Sequence, residues 1–131
     1  MAFDRAALEE RTKAFALRVV EFVTSLPRGP VGDVLGRQLL RSATSIGANY
    51  REASRAESRS DFIHKISLVE KEAAETQYWI ELCQDARAGA ATEPQDLLKE
   101  STELVAIFTQ IGKTTKSRTS QIRRSQFEFR K

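Results

Sequence analysis

This chain has little of what active sites are usually built from. In 131 residues it holds one cysteine (Cys83), one histidine (His64), one asparagine (Asn49), one tryptophan (Trp79) and three prolines. A single cysteine excludes an internal disulfide framework and a cysteine-based zinc site, and fits a reducing cytosol. Asp61-Phe62-Ile63-His64 has the spacing of half a bundle di-metal motif, but that chemistry needs a second histidine, so no metal is expected. The same scarcity leaves only His64 as base for a Ser/His/Asp or Cys/His set, and no nucleophile elbow accompanies it. No catalytic residues and no cofactor are expected, and the chain reads as a non-enzyme. No apolar run approaches the roughly 18 residues of a membrane span. The charged start, MAFDRAALEERTK, has no apolar signal core, so a cytoplasmic protein with no membrane partner is expected.

Charge is abundant and unevenly placed. Residues 1–112 carry 14 Lys/Arg against 17 Asp/Glu, whereas residues 113–131 carry 7 Lys/Arg against Glu128 alone. A mildly acidic body with a strongly basic end points to an anionic partner, nucleic acid first.

Four stretches repeat apolar residues with helical period. The first runs from about Asp4 to Leu26, with Phe15, Val19, Phe22 and Leu26 in 4-3-4 spacing before Pro27, Gly29, Pro30 and Gly32. The second is expected from about Asp33 to Glu57, on the row Leu35, Leu39, Ser42, Ile46, Asn49, Ala53 and Ala56. The third starts near Ser60 or Asp61, either able to cap, and continues to about Arg87 on Phe62, Ile66, Val69, Ala73, Thr76, Ile80 and Cys83. The fourth follows a Thr92–Gln95 capping pattern on Leu97, Ser101, Leu104, Phe108, Ile111 and Thr115. No stretch alternates like a strand. The expected fold is all-α, an antiparallel up-down-up-down four-helix bundle over 1–116, followed by a basic C-terminal tail over 117–131.

Five arginines, Arg37, Arg41, Arg51, Arg55 and Arg59, fall within about 80° on a wheel at about 100° per residue, nearly opposite the apolar row. They form either a solvated outer face or a phosphate-contacting stripe, for which guanidinium is well suited. Helix-3 acids, among them Glu70, Glu72 and Glu75, could neutralise some of them. Asn49 sits in the apolar row, as a register- or oligomer-specifying contact or as a ligand contact; with Ser42, Ser45 and Glu52 it could form one polar network. Tyr78 and Trp79 read either as core or as a subunit contact. In the tail, Arg118, Arg123 and Arg124 are interleaved with Ile122, Phe127 and Phe129, giving either a solvated end or a nucleic-acid-binding arm.

The segments QLLRSATSIGANYREA (38–53) and RAESRSDFIHKISLVEKEAAETQYWIELC (55–83) resemble the four-helix-bundle family of proteins encoded in intervening sequences of bacterial 23S ribosomal RNA genes. That family includes the accessory proteins of diversity-generating retroelements, which partner a reverse transcriptase. The resemblance implies a ring-like homopentamer with a basic surface and, in the retroelement branch, nucleic-acid association. By position, Ser45, Asn49, Arg51, Glu52 and Arg55 fall on its helix-2 signature. Lys65, Glu70, Glu72, Glu75 and Trp79 fall on its helix-3 signature. It supplies no catalytic residues. The expected activity is RNA or DNA binding by Arg37, Arg41, Arg51, Arg55 and Arg59, helped by Arg118, Arg123 and Arg124. The alternative is a scaffold for a protein partner such as a reverse transcriptase.

Overall fold

The computed structural model describes the backbone of residues 4–88 and 93–130, and the side chains of 4–88 and 95–124. It consists of α1 (Arg5–Ser25), α2 (Pro30–Ala53), α3 (Arg59–Asp85) and α4 (Glu93–Arg130). Consecutive helices pack side by side, α1 on α2, α2 on α3 and α3 on α4, as in an up-down-up-down bundle.

Helix boundaries follow local chemistry. Asp4 caps α1 by accepting the Ala6 N–H at 3.0 Å. α2 begins three residues before the expected Asp33, because Pro30 at its first position has a helix-compatible φ and lacks only an N–H that would be unpaired anyway. Gly29 supports this sharp entry with φ 145°, a backbone state open to glycine. Ser58, rather than Ser60 or Asp61, caps α3: its Oγ accepts the Asp61 N–H at 3.0 Å, and the Asp61 carboxylate accepts the Glu57 N–H at 3.3 Å. α3 ends with Arg87 in the left-handed region, φ 53°, and the pair of bonds Arg87 N–H to Gln84 carbonyl and Ala88 N–H to Cys83 carbonyl. That is the Schellman arrangement, here without glycine at the left-handed position. The Thr92 cap expected for α4 lies outside the described residues.

The apolar rows meet in one core. Phe15, Val19 and Phe22 of α1, Leu39 and Ile46 of α2, Ile66, Val69 and Ile80 of α3, and Leu104 and Phe108 of α4 are all buried. Each such side chain contributes roughly 1.5–3 kcal/mol by leaving water. α2 and α4 lie diagonally and share no backbone contact, yet the Tyr50 and Phe108 rings meet across the core at 5.3 Å. Small residues let helices close in: a Cβ at Gly47 would stand 3.1 Å from Thr12 Oγ1.

The α1–α4 seam is the sparsest of the four, and polar contacts hold it. Arg11 donates to Glu100 at 2.9 and 2.6 Å and to Glu103 at 2.8 Å. Hydrogen bonding and attraction from Arg11 hold the Glu100 carboxyl below its ordinary range. A lowered folded pKa means that the stabilisation is present above the unfolded value of about 4.5 and is lost as pH falls. Because Arg11 is partly solvated, Glu100→Gln should cost only about 1 kcal/mol at pH 7. In urea titrations across pH, the gap between the two proteins should close progressively below pH 4.5; a constant gap would refute the linkage.

α4 does not end near Lys116 but continues through Arg130. No proline follows Pro94, and no glycine follows Gly112, so nothing in the backbone chemistry stops the helix. What the segment after about residue 120 loses is a neighbour. Register contacts pair Gln77 with Thr102 at 3.2 Å and Glu70 with Thr109 at 3.1 Å. Continued downward, that register places the start of α3 beside residue 120 of α4, and the rest projects beyond the α2–α3 turn.

Candidate nucleic-acid interface

The five arginines do not lie on one helix. α2 ends at Ala53 with Ser54 as its C-cap, so Arg55 lies in the following turn and Arg59 is the first residue of α3. Arg37 and Arg51 are separated by about 21 Å along α2, at 1.5 Å per residue. Arg41 is neutralised: Nη2 binds Glu75 and Nη1 lies 3.6 Å from Glu72, both on α3. Glu75 also accepts the Trp79 indole N–H at 3.0 Å. Helix 3 thus claims one of the five arginines for the fold.

The structure instead brings together Arg51, Arg55 and Lys65, which line an open cleft at the α2–α3 turn with Glu52, Glu57 and Asp61. Lys65 is 3.8 Å from Glu52. Among the described residues no carboxylate lies within 4 Å of Arg51 or Arg55, and both are exposed. They stand at the C-terminal end of α2, where the helix dipole favours cations. Lys65 was not among the expected phosphate contacts. Its signal was spacing: in an antiparallel pair turning near residues 54–58, Lys65 comes back beside Glu52.

Arg118, Arg123 and Arg124 are all exposed on α4, on a continuous helix rather than a separate tail. α4 is diagonal to α2, so these arginines stand on a helix that does not pack against the one carrying Arg51.

The expected polar network of Ser42, Ser45, Asn49 and Glu52 is absent among the described residues. Asn49 Nδ2 donates to the Ser45 carbonyl at 2.9 Å, one turn back on its own helix. Ser45 does the same to Arg41 at 2.7 Å. Asn49 is half-buried, and the partner it reaches within the chain is on its own helix. The buried polar crossing is elsewhere: the hydroxyls of Ser42 and Thr76 hydrogen-bond between α2 and α3 at 3.0 Å. Trp79 packs half-buried against the core, whereas Tyr78 beside it is 54% exposed.

Other candidates for chemistry sit in unreactive surroundings. Cys83 is buried, and desolvation pushes its thiol up from the ordinary range, away from the reactive thiolate. His64 is exposed on α3. Among the described residues no three of His, Cys, Asp or Glu gather as a metal-binding group. No described helix is long and apolar enough to cross a membrane.

Residues 7–110 match the family model described as 23S rRNA-intervening sequence protein. The chain belongs to this family. A crystal structure of a protein with unknown function, of the S23 ribosomal protein family from Bacteroides thetaiotaomicron VPI-5482, is similar at 38% identity and a TM-score of 0.74. The similarity covers 80% of this chain and 97% of that one. We find no match among curated proteins. The family match includes the α2–α3 cleft and stops before the basic C-terminal part of α4. Positions 51, 55 and 65 therefore lie inside the match, and 113–131 lie outside it.

Proposed function

We propose that this chain is a non-enzymatic, cytoplasmic, homo-oligomeric bundle that binds RNA or DNA through phosphate contacts. The observation that carries this reading is the pair Arg51 and Arg55, exposed beside Lys65 in an open cleft and, among the described residues, without a carboxylate partner of their own. Guanidinium groups in such a setting are free to make bidentate phosphate bonds. Arg118, Arg123 and Arg124 add charge from α4, while Arg41 serves the fold. Arg37 stays exposed and adds long-range attraction. A homopentameric ring, implied by the family resemblance, would repeat the cleft and let weak contacts add.

The test is the affinity of full-length protein for a labelled structured RNA across a salt series. Binding should weaken steeply and linearly in log–log form, with a slope of about −0.7 to −0.9 per phosphate contacted. No binding at low salt would refute the reading.

A second reading is supported by the acids interleaved in the same cleft, Glu52, Glu57 and Asp61. A surface of mixed sign suits a protein partner, such as a reverse transcriptase, better than a pure polyanion. It would follow from partner capture without binding to free nucleic acid.

A further inference from the structure

The side of α3 away from α2 faces α4. The α3–α4 seam pairs residues at seven-residue steps: Gln77 with Thr102, then Glu70 with Thr109. Gly112 packs on the same row, where an added Cβ would stand 3.7 Å from both Glu70 and Ile66. The next step down sets Ile63 against Lys116. One turn further, Arg59 falls on the same face of α3 as Ile66 and Glu70, at a level between Lys116 and Arg123 of α4. On α4, Lys116 and Arg123 share the face that carries Thr109 toward α3, being seven and fourteen residues on from it.

The register thus assigns three exposed cations to facing sides of the seam at the end of the bundle. None has a carboxylate within 4 Å among the described residues. The acids nearest in sequence to Arg59 point elsewhere: Asp61 bonds the Glu57 N–H and lines the α2–α3 cleft, and Glu57 lines it too. Glu70 is higher in the seam and accepts from Thr109. Like charges brought together in this way repel, and a bound anion would relieve the repulsion.

We infer that Arg59, Lys116 and Arg123 form a phosphate-binding cluster at the open end of the α3–α4 seam. It deepens the nucleic-acid reading by adding a contact distinct from the Arg51–Arg55 cleft. The cleft and the cluster flank the same end of α3, so a nucleic-acid backbone crossing the end of the bundle meets both. Lys116 and Arg123 lie beyond residue 110, outside the part of the chain that matches the family model.

The cluster is tested first without nucleic acid, by thermal unfolding of the full chain with and without tripolyphosphate. The protein should gain Tm with the anion. Lys116→Ala with Arg123→Ala should lose more than half of that gain. Lys71→Ala with Lys99→Ala, which removes two exposed lysines elsewhere, should keep it. In plain low-salt buffer the first pair should not lower Tm, because it removes repulsion rather than packing. Equal gains in both pairs, or no gain in the unsubstituted protein, would overturn the cluster. The RNA salt series then separates the two claims. If RNA binds, the Lys116/Arg123 pair should flatten the slope by about 1.4–1.8, and an unchanged slope overturns the contact. If RNA does not bind but the tripolyphosphate gain is lost as stated, the cluster stands and the nucleic-acid reading falls.

Discussion

Phe108→Ala should lower the unfolding free energy by about 3–5 kcal/mol. Phe108 is wholly buried on α4, and its ring meets Tyr50 of α2 at 5.3 Å with the planes 54° apart. Among the described residues α2 and α4 have no backbone contact, so this aromatic pair carries part of the cohesion across the bundle diagonal. The substitution removes the transfer energy of a benzyl group and leaves a void that four helices cannot close without shifting. The total stability of a domain this size is about 5–15 kcal/mol, so the loss takes a large share of it. Urea unfolding at fixed protein concentration should show a lower midpoint with an unchanged m-value. A comparison in the same helix gives the scale: Ile122→Ala, at a site 43% exposed, should fall within about 0.5 kcal/mol of the parent. A loss below about 1 kcal/mol for Phe108→Ala would mean that its ring is not enclosed as described.

The core was legible because heptads test burial many times over. Ile66, Val69, Ala73, Thr76, Ile80 and Cys83 were one row in the sequence and are one buried row in α3. The arginine stripe was not legible, because a helical wheel presumes one unbroken helix. Nothing between Ala53 and Ser58 is glycine or proline, so the break after Ala53 carries no punctuation. It is imposed by the turn that packs α3 back on α2, and the one local sign is the Ser58–Asp61 cap. For a related reason the row did not show the bond that Asn49 makes: a place in the apolar row does not say whether a polar side chain bonds across helices or back along its own. The C-terminal segment read as a tail because core periodicity reports a neighbour. Where α3 runs out the row has nothing to pack on, but helix propensity persists, and α4 continues.

Arg51→Glu with Arg55→Glu should reduce RNA affinity by about a hundredfold or more at moderate salt. Two phosphate contacts vanish, which alone flattens the log–log salt slope by about 1.4–1.8, and two negative charges then repel the backbone. Stability should change little, since neither arginine has an ion pair to lose among the described residues. The one structural cost is cationic charge at the C-terminal end of α2, worth about 0.3–1 kcal/mol. Arg41→Glu supplies the opposite signature. It sets a third carboxylate beside Glu72 and Glu75, and Glu72 Oε2 is already buried without a hydrogen bond. That variant should unfold earlier while the RNA slope of the folded protein stays close to the parent. The two variants together separate arginine used for binding from arginine used for folding, a distinction that composition cannot make. Unchanged affinity and slope in the double variant would remove the α2–α3 cleft from the nucleic-acid path. Intact RNA binding with lost capture of a protein partner would assign the cleft to that partner, whose acids Arg51 and Arg55 would then meet.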